Sequence, residues 1–213
     1  MPTIVFYLDF VSPYAYIAFH RLPQVLAGLA WHVQYRPVVL GGIFKAQGNT
    51  SPASIPAKHA WILRHVQWLA AQDAVPLVMP PAHPFGPLPW LRMALAASPH
   101  GQPARAVCEE IFNALWQQGR DANEPDFQQA VWQTMTALLP AVRDPHSPEV
   151  KRELLALGEA AVQHGVFGVP SFVLLPEDAA GQPQLFWGVD SLPMLREAVA
   201  ARQLGGLAPG AAV

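Results

Sequence analysis

The chain has 213 residues, 52% of them hydrophobic and only 13% charged, with a formal net charge of −2. That balance excludes a disordered chain, and without a dense Lys/Arg stripe neither nucleic acid nor an anionic membrane is an expected partner. A single cysteine, Cys108, excludes an internal disulfide, a dithiol redox centre and a cysteine-rich zinc site.

In chain order, Thr3 to Phe10 opens apolar and β-branched and then turns aromatic, which predicts a buried strand. No basic segment precedes it, Asp9 interrupts the apolar run, and no apolar stretch is long enough to span a bilayer. A soluble, cytoplasmic protein without a secretory signal is therefore expected. Ser12 is a good helix N-cap and Pro13 a good first helical residue, so a helix is predicted from there to Leu29. Trp31 to Val39 reads as a second strand, and the β-α-β order implies a parallel pair. Gly41-Gly42, Gly48-Asn49 and two prolines make Leu40 to Pro56 a predicted loop.

Helical character then fills Ala57 to Ala71, Leu88 to Ala97, Pro103 to Gly119, Pro125 to Leu139 and Pro148 to His164, several with Pro near the start. Six prolines between Val75 and Pro89 predict a rigid extended connector, and Cys108 falls on a helix as a small apolar residue. Strand character returns at Ser171 to Leu175, and a turn around Pro176 to Gly181 leads to a strand at Gln184 to Trp187. Asp190-Ser191 opens a last helix, followed by a small, flexible tail from Gly205 to Val213.

The chemistry concentrates in three places. Ser12-Pro13-Tyr14-Ala15 stands at a strand-to-helix junction where thioredoxin-like redox proteins carry Cys-x-x-Cys, and both cysteine positions are vacant. Gly168-Val169-Pro170-Ser171-Phe172 is similar to the thioredoxin-like loop that faces the active site. The predicted fold is thus α/β: a thioredoxin-like domain, residues 1–48 and 165–213, split by an all-helical insertion over 49–164. Alone, Ser12 is either a plain N-cap or a hydroxyl that stabilises a thiolate beside a helix N-terminus. Lowering a thiol pKa by ~2 units corresponds to ~2.7 kcal/mol, within reach of one hydroxyl hydrogen bond plus the helix dipole. No Gly-x-Ser-x-Gly elbow surrounds it, which argues against a serine hydrolase. A cis bond before Pro170 would free the Val169 backbone for an extended ligand. Asp190-Ser191 is either a helix cap or a binder of an amino acid head group.

Together these stretches resemble the 2-hydroxychromene-2-carboxylate isomerases and the kappa-class glutathione transferases over nearly the whole chain. The likeness is carried in order by Asp9 to Tyr16, Leu40 to Asn49, Ile55 to Lys58, Gly119-Arg120-Asp121, Gly168 to Phe172 and Gly188-Val189-Asp190. It implies glutathione as cofactor, with Ser12 hydrogen-bonding the sulfur and Val169 and Pro170 flanking the cysteinyl unit. Asp190 and Ser191 would hold the γ-glutamyl end, and Asn49 and Lys58 the rest. It implies a small aromatic acid as substrate in a pocket lined by Phe10, Tyr14 and Phe44, with no metal, in a homodimer. Ser191 stands where many relatives carry Arg, so a charged contact to the γ-glutamyl carboxylate is missing. His83, alone in a proline-rich loop, is read as structural or solvated rather than as a proton-transfer residue. Trp61, Trp68, Trp90, Trp116 and Trp132 are read as core or dimer-contact residues.

Overall fold

A computed structural model describes residues 1–98, 101–137, 139, 142–176 and 181–205. Strand β1 (Thr3–Leu8) is buried from Ile4 to Leu8, which is why its sequence is a continuous apolar run rather than an alternating one. It leads into helix α1 (Pro13–Val25) and strand β2 (His32–Pro37), which pairs parallel to β1 with Thr3 opposite His32. Strand β3 (Ser171–Leu174) lies antiparallel on the other side of β1, and β4 (Gln184–Trp187) lies beyond it, giving the order β2-β1-β3-β4. Between the two halves of the sheet run α2 (Leu40–Ala46), α3 (Pro56–Gln72), α4 (Leu88–Ala96), α5 (Arg105–Gln117), α6 (Pro125–Thr136) and α7 (Pro148–Gln163). Helix α8 (Leu192–Gly205) closes the described chain. The α/β frame has βαβ and ββα ends with helices between them, as expected.

Both faces of the sheet are covered. Phe6, Leu8 and Phe172 pack with Phe19 of α1, Trp90 of α4 and Phe112 of α5, while Val5, Tyr7 and Val173 on the opposite face meet Ile43 of α2 and Ala161 of α7. No helix among the described residues is long and apolar enough to cross a membrane.

Several boundaries differ from the sequence reading. The expected loop over Leu40 to Pro56 holds α2 and a 3-10 turn at Pro52–Ser54. Val39 cannot cap α2 with its side chain; instead the buried Asp9 carboxylate accepts the Leu40 N–H at 2.8 Å, and Ile43 anchors the helix in the core. These tertiary contacts outweigh the glycine penalty, about 1 kcal/mol per residue. Helix α1 ends at Val25 rather than Leu29, and Gly28 makes the following turn at φ +80°. Strand β1 stops at Leu8 and β2 at Pro37, where the Val38 N–H meets the Leu8 carbonyl and pairing gives way to the Asp9 contact. Asp190 and Ser191 belong to a 3-10 turn, Val189–Ser191, ahead of α8. Most of the expected turn (177–180) and of the tail (206–213) lies outside the described residues.

Candidate active site

Ser12 caps α1 with extended backbone angles (φ −89°, ψ 112°), and its Oγ accepts the Ala15 N–H at 3.2 Å. That bond uses one acceptor of the hydroxyl; its proton has no acceptor among the described residues and can donate to a group in the cleft. The surrounding turn is held from three sides. Asp9, fully buried, accepts the Val11 N–H at 3.2 Å as well as the Leu40 N–H. Trp116 Nε1 donates to the Phe10 carbonyl at 3.0 Å, and His83 Nε2 lies 3.0 Å from the Val11 carbonyl. Burial pushes the Asp9 carboxyl up to about 7, against the pull of its two backbone N–H partners.

Ser12 lines a cavity of about 510 Å³ together with Tyr14, Phe44, Asn49, Lys58 and Val169. The structure thus brings together six of the residues singled out in the sequence. Val169 and Pro170 are joined by a cis peptide bond, as expected, and the Val169 N–H and carbonyl have no hydrogen bond among the described residues. A buried backbone amide at a cleft wall without an internal partner is a docking point for an extended peptide. Pro170 and Asp190 line a second cavity of about 480 Å³, which shares Tyr14, Val169 and Trp187 with the first.

Two expected contacts are absent. Phe10 is fully buried, its ring packed on Phe112 at a centroid distance of 4.8 Å, so it lines the core and not this cavity. Ser191 is buried, its hydroxyl donating to the Gly188 carbonyl at 2.9 Å, and it lines neither cavity. That bond closes the 3-10 turn from within.

Other residues at the cleft were not singled out as site residues in the sequence. His83 lines the cavity, and because a carbonyl only accepts, its Nε2 carries the proton given to Val11; Nδ1 then accepts from His59 Nε2 at 3.2 Å. Burial lowers the His83 pKa, helped by the nearby His59. Trp90 and Trp116 are core residues, but Trp61 and Trp68 are 53% and 57% exposed and stack on either side of His65. His65 Nδ1 is 3.0 Å from the Tyr14 hydroxyl, whose pKa burial raises. Phe167 and Trp187, in contact at 4.9 Å, complete the mouth. The signals were an aromatic spacing along α3 and aromatic residues flanking the Val169-Pro170 loop; the sequence could not say that they face outward.

Cys108 is fully buried in α5, and burial pushes its thiol up, so the chain's own sulfur is no nucleophile. Among the described residues no group of His, Cys, Asp and Glu could hold a metal ion.

Comparison with known proteins places this geometry in context. Residues 3–200 match the family described as DSBA-like thioredoxin domain. A 2-hydroxychromene-2-carboxylate isomerase of Sphingobium xenophagum is 32% identical over 199 residues, covering 91% of this chain and 95% of that protein. Human glutathione S-transferase kappa 1 is 25% identical over 220 residues, covering 97% and 95%. A solved structure of a 2-hydroxychromene-2-carboxylate isomerase superposes with a TM-score of 0.77 at 24% identity, covering 97% of this chain and 99% of that one, a likeness of fold.

Proposed function

The chain belongs to the DSBA-like thioredoxin domain family, alongside 2-hydroxychromene-2-carboxylate isomerases and kappa-class glutathione transferases, and from that premise we propose a glutathione-dependent isomerase of aromatic degradation. Its substrate on this reading is 2-hydroxychromene-2-carboxylate and its product trans-o-hydroxybenzylidenepyruvate. The observation that carries the proposal is the hydroxyl of Ser12, its proton uncommitted, in one cavity with the unpaired backbone of Val169.

The residues fit the tripeptide. Val169 offers an N–H and a carbonyl to the cysteinyl unit, while Lys58, with Asn49 nearby, supplies a cation for a terminal carboxylate at one end of the cleft. Asp190 supplies an anion for an ammonium group at the other. When bound, glutathione would supply a thiolate that adds to the conjugated side chain of the ring-opened substrate, turning its C=C bond into a rotatable single bond, and that is expelled after rotation as the trans C=C bond re-forms. Ser12 stabilises the charge on sulfur by donating its proton, and the N-terminus of α1 adds its positive potential. Phe44, Tyr14 and Trp61 form apolar walls that orient an aromatic acid and exclude water. A homodimer and a cytoplasmic setting belong to the same proposal, and equilibrium sedimentation tests the former.

Purified protein with millimolar glutathione should interconvert the two aromatic acids, followed by their ultraviolet spectra, and should not do so without the thiol. No glutathione-dependent turnover would reject the isomerase. The kappa-class match supports a second reading, transfer of glutathione to another electrophile at the same Ser12. A stable thioether product in place of an isomer would select it.

A further inference from the structure

We propose that Arg21 and Asp190 form a reader of a zwitterionic α-amino acid head group, with Arg21 as the carboxylate contact that Ser191 does not supply. The inference rests on the glutathione reading and names the residue that selects its γ-glutamyl end. Both side chains line the second cavity, which opens off the Ser12 cavity past Tyr14, Val169 and Trp187.

Asp190 is the anionic half. Its carboxylate is exposed and makes no ion pair or hydrogen bond among the described residues. The chain is built to admit it: residue 188 has φ +90°, and a Cβ there would lie 2.4 Å from Asp190 Oδ1. Only glycine leaves that oxygen its place.

Arg21 is the cationic half. It projects from α1, and its Nε and Nη2 donate to Asp73 Oδ2 at 2.7 and 2.5 Å. The guanidinium is thereby fixed in orientation, while Nη1 has no partner among the described residues and the side chain remains 22% exposed. A fixed planar fork with a spare N–H edge suits a carboxylate better than a flexible ammonium would.

The charges select the ligand class. Arg21 and Asp73 cancel, so Asp190 leaves the cavity with a net negative charge that attracts an ammonium group. A simple acid meets the Asp190 carboxylate beside an arginine already neutralised by Asp73 and is repelled. A head group carrying ammonium and carboxylate on one carbon satisfies Asp190 and Arg21 together. Thiols that end in a sugar or a nucleotide lack that pair and are discriminated against.

Calorimetric titration of glutathione and of 4-aminobutyryl-cysteinyl-glycine, which lacks only the α-carboxylate, tests the assignment. Arg21→Met should weaken glutathione about tenfold and leave the truncated peptide within about twofold, because the group that Arg21 reads is already gone from it. Arg21→Lys, which keeps the charge, should recover part of the loss. Asp73→Asn, which removes the ion pair but keeps Arg21, should cost glutathione less than Arg21→Met does. The melting temperature of each free variant reports folding independently, and if Arg21→Met does not fold, the Arg21→Lys comparison decides. Equal weakening of both peptides, or of neither, would overturn the role of Arg21. Failure of the wild-type protein to bind glutathione at all would instead overturn the reading on which it rests, and the inference with it.

Discussion

On the sheet side of the cleft, the polar groups are one hydroxyl and backbone, Ser12 at the head of α1 and Val169 just before β3, set between the rings of Tyr14, Phe167 and Trp187. Ser12 and Val169 are buried and continuous with paired strands or a capped helix. On the helical side a ligand meets side chains, several half exposed, from α2, the 3-10 turn, α3 and the His83-Pro84 segment. Sheet geometry fixes the first wall and side-chain identity fixes the second. On the glutathione reading proposed above, the first suits a task that does not change, the holding and polarising of sulfur. The second can be rewritten residue by residue for a different electrophile without disturbing the first.

If that division is right, the largest effect belongs to Ser12. Ser12→Ala should lower kcat/KM by about 1.5–3 kcal/mol of transition-state stabilisation, roughly 10- to 150-fold, the usual range for a hydrogen bond to a charged group. Loss of the N-cap should cost only ~1 kcal/mol of stability, so circular dichroism should show an intact fold. Activity within twofold of wild type would remove Ser12 from the chemistry.

Gly188→Ala probes the sheet wall from its edge. A Cβ 2.4 Å from Asp190 Oδ1, on a backbone at φ +90°, displaces the carboxylate. Glutathione should bind about tenfold more weakly, with ~1–3 kcal/mol lost from stability through strain. An unchanged dissociation constant would mean that Asp190 does not touch the ligand.

The helical wall should respond differently. Phe44→Ala should raise KM for the aromatic substrate about fivefold, the order expected for one lost aromatic contact, with glutathione affinity unchanged. Equal loss of both would break the proposed division of labour.

The smallest effect on turnover is expected at Asp9, which braces the sheet wall without reaching the cavity. Its change shows in stability against pH. Folded, its carboxyl holds a proton up to about pH 7, whereas an unfolded aspartate releases it near pH ~4. The folded state therefore binds more protons in between, so this group's stabilising share is complete below that lower value and is lost as pH rises through 7. His20, His83 and His164, whose charged forms are disfavoured by burial, act in the opposite sense. The measurement is therefore the difference between wild type and Asp9→Asn in urea midpoint from pH 5 to 8. A difference that does not change with pH would refute the raised Asp9 carboxyl.

What the sequence revealed follows the range of the interactions involved. Strands β1 and β3, the cap at Ser12 and the proline-started helices are written in local pattern, and they appear where the pattern puts them. Helix α2 does not, because its cap is Asp9, 31 residues upstream, and a Gly-Gly pair conceals it. Phe10 was misplaced because β1 ends at Leu8 and alternation no longer fixes which way a side chain points. His83 reaches the cleft through a bond to the Val11 carbonyl, 72 residues away, and Arg21 through a cavity shared with Asp190. No periodicity encodes either juxtaposition.

The position of β1 also sets the order in which the molecule can be made. Its first neighbour, β2, is close in sequence, but on its other side Ile4 pairs with Leu174, near the far end of the chain. The turn carrying Ser12 is braced by Trp116 and His83, both synthesised long after it. During synthesis on the ribosome, β1 and β2 therefore emerge as half a sheet with an apolar edge uncovered until residues 171–174 leave the tunnel. Such distant pairing is slow to close, and until then the unpaired edge is prone to aggregation. Nascent chains released before residue 171 should therefore pellet as aggregates, whereas chains extended through β4 and α8, which complete the sheet and bring Asp190 to the second cavity, should stay in solution.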